Sequence, residues 1–371
     1  MEGDTTLTRI AAGDPPTAEH RSGLGRRQLL RGAALATAGA TMAGLLEACQ
    51  GGSTASGSGS GNFPSHPRWK FVFVNHVTTN PFFVPTQYGI QDACAMLGCD
   101  YQFTGSQNSI TSEMVNAMNV AITAKVDGIA VCITDPTAFD EPVGRALDAG
   151  IPVIAYNADA PPGSGNRRLA YLGQDLFVSG QRLGQRIVNL VKSGPVVGFI
   201  ATPGQLNIQP RIDGAKQAIQ ASGAPIQFEA ITTGAQVNDE LQRIEAYYLG
   251  HTGLKGMFAV DAGSTQGVAQ IMQKYGLAAK GVHAGGYDLL PATLDLINAG
   301  HLDFTIDQQP YLQGFLPTVA LFLYKLSGGL QAPPDTNTGL LFVTKQNVAP
   351  YLNTKTRFEG SSDKQQVVSS H

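Results

Sequence analysis

The chain has 371 residues, with 25 Lys and Arg against 28 Asp and Glu, a net charge of -3. With 43% hydrophobic and only 14% charged residues it can bury a sizeable core, which excludes a disordered chain. No long basic run offers nucleic acid a grip, four cysteines are too few for a disulfide scaffold, and 44 glycines imply low complexity or many turns.

The first elements form an address and a tether. A polar leader ends in Arg26-Arg27, followed by Gln28-Leu29-Leu30-Arg31 and an uncharged stretch over 32–46 rich in Ala, Gly, Leu and Thr. That stretch is too short and small-sided to span a bilayer, which needs roughly 20 strongly apolar residues. The three-part layout is that of an export signal, and the paired arginines resemble a twin-arginine signal. Leu46-Glu47-Ala48-Cys49 resembles a bacterial lipobox, in which the cysteine is lipidated and becomes the new N-terminus; Glu47 departs from the usual small or apolar residue. The alternative is a plain N-terminal helix with a buried Cys49. Residues 1–48 are thus assigned to the signal and 49–68 to a Gly/Ser-rich tether.

From Trp69 onward, short apolar runs alternate with amphipathic stretches. The first half predicts strands at 70–75, 100–103, 128–133 and 151–156, and helices at 88–97, 112–124 and 139–149. The pattern then restarts, with strands at 196–201, 226–231, 256–260 and 282–286 and helices at 211–222, 239–249 and 267–275. Unalternating buried runs are what a parallel sheet covered on both faces requires. The expected fold is α/β, two doubly wound parallel-sheet lobes with their ligand loops at the carboxyl ends of the strands.

Enzyme apparatus is sparse. The first strand is followed by His76-Val77-Thr78-Thr79-Asn80-Pro81, not by a glycine-rich dinucleotide loop. There is no phosphate-binding loop, no H-E-x-x-H pair and no C-x-x-C, so no cofactor and no metal are expected. Gly263-Ser264-Thr265-Gln266-Gly267 places its serine one position too early for a nucleophile elbow. The strand-end loops instead carry amides, carboxylates, one arginine and aromatic rings. Those groups suit a polyhydroxylated ligand, whose hydroxyls both donate and accept while its C–H face lies on an aromatic ring.

Four short pieces then occur in order: Asn80-Pro81-Phe82-Phe83, Gly150-Ile151-Pro152-Val153-Ile154, Tyr287-Asp288 and Ile306-Asp307-Gln308-Gln309-Pro310. On these, residues 69–350 resemble the periplasmic sugar-binding proteins of ABC transporters, the ribose-binding type. The resemblance implies two lobes joined by three crossings that close on a sugar. The first lobe would comprise 69–173 and 309–332, the second 174–308 and 333–350, with 351–371 a tail. Asn80, Phe82 and Phe83 would hold and stack the ligand, Asn157 would stand where the family carries an aspartate, and Arg211, Asp261, Asp288 and Gln308 would add hydrogen bonds. Gln236 lies where a further contact is often placed. The family's Asp-Arg pair is here Asn157-Ala158, so one cation is missing; Asp159 could replace part of it, and His76 adds a bulky polar group. The expected ligand is therefore a sugar or sugar alcohol of the pentose/polyol class, with the site tuned not for ribose but for a smaller sugar or an acyclic polyol.

Bland alternatives stand beside these assignments. Asp261 and Asp288 could be helix N-caps, Arg211 a surface ion-pair partner, His76 a core or rim residue, and one of Phe82 and Phe83 a core side chain. Cys94 and Cys99 could form a disulfide across the turn at Gly98 or remain buried thiols, while Cys132 lies in a buried strand. The expectation is a monomeric lipoprotein outside the cytoplasm. Its partners would be a sugar or polyol, the permease subunits of an ABC transporter and, through its lipid only, the membrane. The alternatives are a secreted carbohydrate-active enzyme using Asp261 and Asp288, and a sugar-sensing receptor module.

Overall fold

The computed structural model describes residues 63–353, so the signal, Cys49 and the tether up to residue 62 lie outside the described residues, as does the chain from 354. The first lobe runs β1 (Lys70–Asn75), α1 (Val84–Leu97), β2 (Asp100–Gly105), α2 (Thr111–Thr123), β3 (Gly128–Val131), α3 (Asp140–Asp148), β4 (Val153–Tyr156) and β5 (Tyr171–Gly173). The second runs α4 (Leu176–Val191), β6 (Gly194–Ile200), α5 (Gln209–Ser222), β7 (Ile226–Thr232), α6 (Val237–Gly250), β8 (Gly256–Ala259), α7 (Ala262–Lys274), β9 (His283–Tyr287), α8 (Pro291–Asn298) and β10 (Phe304–Asp307). The chain returns through α9 (Leu312–Leu326) and β11 (Thr336–Asn337), then crosses again to β12 (Leu341–Val343) and α10 (Ala349–Asn353).

The strand orders are β11-β5-β4-β3-β1-β2 and β12-β10-β9-β8-β6-β7. Apart from the outermost strand, the two lobes share one winding, which reverses between the first and third strands of each. That switch point opens a crevice at the carboxyl ends of the strands. β1 is buried along all but its first residue and pairs in parallel with β2 and β3, so Val, Phe and Val face helices on both sides. Phe71, Phe73, Ile129, Ile154 and Tyr156 form the first core, closed by Leu321 and Phe322 of α9. In the second lobe, Met257 and Phe258 of β8 point to opposite faces and join separate apolar clusters.

Three details depart from expectation. The strand at 336–337 pairs with β5, so the third crossing falls at 338–340 and not at 332/333; residues 333–337 belong to the first lobe. Strand β12 runs antiparallel to β10, so the second sheet is mixed at its edge. The assigned C-terminal tail begins inside helix α10, which continues to residue 353. Cys94, Cys99 and Cys132 are free, buried thiols. Gly98 does fold the chain back after α1, at φ 65°, and the Cys99 amide donates to the Cys94 carbonyl at 3.0 Å, without an S–S bond.

Glycine also sets helix contacts. A Cβ on Gly180 of α4 would sit 2.2 Å from the Arg211 carbonyl oxygen, and one on Gly214 of α5 2.3 Å from that of Phe177. The two helices therefore touch backbone to backbone at the residue that carries the expected guanidinium.

Candidate functional site

His76, Asn80, Phe82, Phe83, Asn157, Asn207, Ile208, Arg211, Asp261, Ala262, Asp288 and Gln308 line one small cavity between the lobes. Nine of the eleven predicted ligand residues meet here.

The loop after β1 is built by its own amides. Asn75 bonds the Val77 amide at 2.9 Å and the Tyr156 hydroxyl at 3.0 Å, which turns the chain sharply after the strand. Asn80 accepts from the Phe82 amide at 3.0 Å, and Pro81 opens a 3₁₀ turn over Pro81–Phe83. This irregular backbone lets both adjacent rings reach the cavity. They meet edge to face at 4.7 Å and pack on Ala262 and Leu290 of the opposite lobe, apart from the main cores.

Asn157 follows β4 in the left-handed region, at φ 63°, and donates to Gln313 at 2.9 Å. Asp288 follows β9 at φ 76°, a strained conformation that Asp tolerates better than most residues. Its carboxylate accepts from Gln308 at 2.7 Å. Burial pushes Asp288 up to about 7, although Arg211 and the Gln308 bond pull it the other way. Asp261 caps α7, accepting from Ser264 N at 2.9 Å and from Ala201 N at 3.0 Å. Capping and cavity lining are thus one role here, not alternatives.

Arg211 is 2% exposed and is no surface ion-pair partner. It donates to the Val260 carbonyl at 2.8 Å and to Gln174 at 3.2 Å, and lies 4.1 Å over the Tyr287 ring. Burial and then the Arg211 charge depress His76 to about 3, so its imidazole is neutral. His76 Nε2 meets the Asn207 amide at 3.1 Å. His76 Nδ1, Asn207 Oδ1 and Arg211 Nε are buried without a hydrogen-bond partner, and all three belong to residues of this cavity. Buried polar groups are satisfied almost everywhere in proteins, so these three atoms leave the cavity with unused hydrogen-bonding capacity.

Two predicted contacts fall elsewhere. Asp159 forms an ion pair with Arg168 and lines a separate cleft beside the crossings, because Ala158 turns into the core and carries its neighbour away. Gln236 is exposed and reaches across to the other lobe, donating to Gln107 O at 3.1 Å and Asn108 Oδ1 at 2.7 Å. Gln205 makes the matching bridge, donating to Ser109 O at 2.8 Å and accepting from Ser109 Oγ at 2.5 Å. The cavity residues not foreseen, Asn207, Ile208 and Ala262, sit after β6 and β8. The repeat pointed to the first of these loops: 201–208 follows β6 as 76–83 follows β1.

A bilobed, doubly wound frame with a polar and aromatic cavity at both switch points defines a solute-binding protein of the hinged kind. The chain belongs to the periplasmic binding protein family, whose domain profile matches residues 71–328. It is 54% identical over 314 residues to the xylose/arabinose-binding protein XylF of Sulfolobus acidocaldarius, covering 81% of this chain and 77% of that protein. A solute-binding protein of an ABC transporter from Burkholderia graminis, solved with D-arabinose, superposes with a TM-score of 0.71 at 26% identity, over 78% of this chain and 99% of that one. A carbohydrate transporter protein from Acidothermus cellulolyticus, solved with myo-inositol, gives 0.68 at 26% identity, over 77% and 97%.

Proposed function

We propose that this protein is an extracytoplasmic receptor that captures a pentose between its lobes and delivers it to an ABC permease. One observation carries the chemistry: the orphaned atoms of His76, Asn207 and Arg211 line one small cavity with Asp261, Asp288 and two aromatic rings. The names of the relatives support a pentose over an acyclic polyol as the principal ligand. A ligand bridging both lobes stabilises the closed form by its differential affinity, and the closed form is what the permease would recognise. The relatives are binding proteins by name, and no turnover is proposed.

Isothermal titration with xylose, the arabinoses, ribose, hexoses, myo-inositol and acyclic polyols tests the assignment. Micromolar or tighter binding of xylose or arabinose, with the sugar recovered unaltered, is expected. Binding of none of them, or preference for an acyclic polyol, overturns it. The segment ending at Cys49 further supports export by a twin-arginine route and a lipid anchor. Mass spectrometry of the membrane fraction, with Cys49→Ala released to the soluble fraction, tests that assignment.

A further inference from the structure

Behind Asp261 lies a second carboxyl group that no ligand role explains. Glu240, on the first turn of α6, is 1% exposed. It accepts from Ser264 Oγ at 2.7 Å, and that hydroxyl also meets Thr233 Oγ1 at 2.8 Å. It presses on the start of α7 so closely that a Cβ on Gly263 would stand 2.4 Å from its Oε1. With Asp261, His76, Asn80 and Asn207 it lines a compartment that adjoins the main cavity.

We propose that Glu240 is a positioning residue of the sugar site, donating a hydrogen bond from a neutral carboxyl to Asp261 and so fixing the Asp261 oxygens toward the ligand. The proposal rests on the assignment of the cavity as a sugar site. Two carboxylates in hydrogen-bond contact at a buried place cannot both stay charged, so the pair keeps a proton. The groups facing Glu240 agree: Asp261 and Ser264 from α7, Thr233 from the loop after β7, and Asp239 from its own helix. Among the described residues no lysine or arginine forms a salt bridge with it. Burial, then the Asp261 charge and hydrogen bond, push the group up to about 10. The backbone amides of Ala201 and Ser264 hold Asp261 from two sides, and the Glu240 O–H supplies a third contact.

Glutamine reproduces this arrangement, since its amide donates to Asp261 and its carbonyl accepts from Ser264 without a titratable proton. Pentose affinity is measured by titration calorimetry from pH 6 to 10.5 for wild type, Glu240→Gln and Glu240→Ala, with circular dichroism and Tm as folding controls. Wild-type affinity should hold from about pH 7.5 to about pH 9, above the range in which Asp288 takes up its proton, and then fall. Glu240→Gln should bind within about threefold of wild type and lose the alkaline decline, while Glu240→Ala should weaken binding roughly 10- to 100-fold. Equal loss in both variants, an alkaline limb that persists in Glu240→Gln, or no loss in Glu240→Ala overturns the proposal. Infrared difference spectroscopy supplies a readout that needs no ligand: a protonated-carboxyl band at neutral pH that Glu240→Gln abolishes. If wild type binds no sugar, the sugar assignment fails alone; if the band is missing, the Glu240 proposal fails whatever binds.

Discussion

The two lobes share a winding but equip the cavity differently. From the first come two aromatic rings, the amides of Asn80 and Asn157 and a neutral His76. From the second come Arg211, Asp261 and Asp288, with Gln308 on the crossing and Glu240 behind. The first lobe offers shape and uncharged hydrogen bonds; the second offers charge held by backbone. Hydrogen bonds to charged groups contribute roughly twice as much as neutral ones, so the second lobe should dominate affinity while the first selects for ring size and face.

The largest effect that would break this division is at Arg211. Arg211→Ala should cost at least about 100-fold in pentose affinity by calorimetry, with Tm confirming a folded chain. A loss smaller than that of any first-lobe variant would reverse the ranking. Next, Phe83→Ala should weaken binding roughly 10- to 30-fold, and Phe83→Leu less, since the ring's stacking face and part of its burial are lost.

Asp288 sharpens the contrast through pH. Its folded value, about 7, lies above the usual carboxylate value, so the folded state binds more protons than the unfolded one. The resulting stability is fully present below about pH 4 and is lost as pH rises through about 7. The Tm of the unliganded protein should therefore rise by several degrees between pH 8 and pH 5, and Asp288→Asn should flatten that slope. Sugar affinity should run the other way, falling several-fold below pH 7 as the acceptor is protonated. The smallest effect belongs to the bridges between lobes. Gln205→Ala and the more exposed Gln236→Ala should change affinity only a few-fold while enlarging the radius of gyration of the unliganded protein in small-angle scattering.

Much of this was legible in the sequence because strand ends are marked by composition. The eight strands predicted above came within a few residues of their observed bounds, while β5, β11 and β12 were not foreseen, and the loops carried nine of the cavity residues. What escaped depends on contacts distant in the chain. Asp159 is drawn off by Arg168, nine positions on, and Gln236 finds its partners on the other lobe. Helix α4 escaped because Gly180 and Gly184 stand where punctuation is expected, yet serve close helix approach. The third crossing is set by the two-residue strand β11, too short to show a period.

That glycine contact also bears on how such a receptor could be given a new ligand. Arg211 is carried on a helix packed against its neighbour through main-chain atoms at Gly180 and Gly214, so a side chain added at either glycine displaces the whole helix that holds the guanidinium. His76 and Asn157 stand on loops outside any helix contact, and their side chains bond only the side chains of Asn207 and Gln313. Directed changes of sugar preference should therefore be sought on the first lobe, where substitutions leave the frame of the cavity standing.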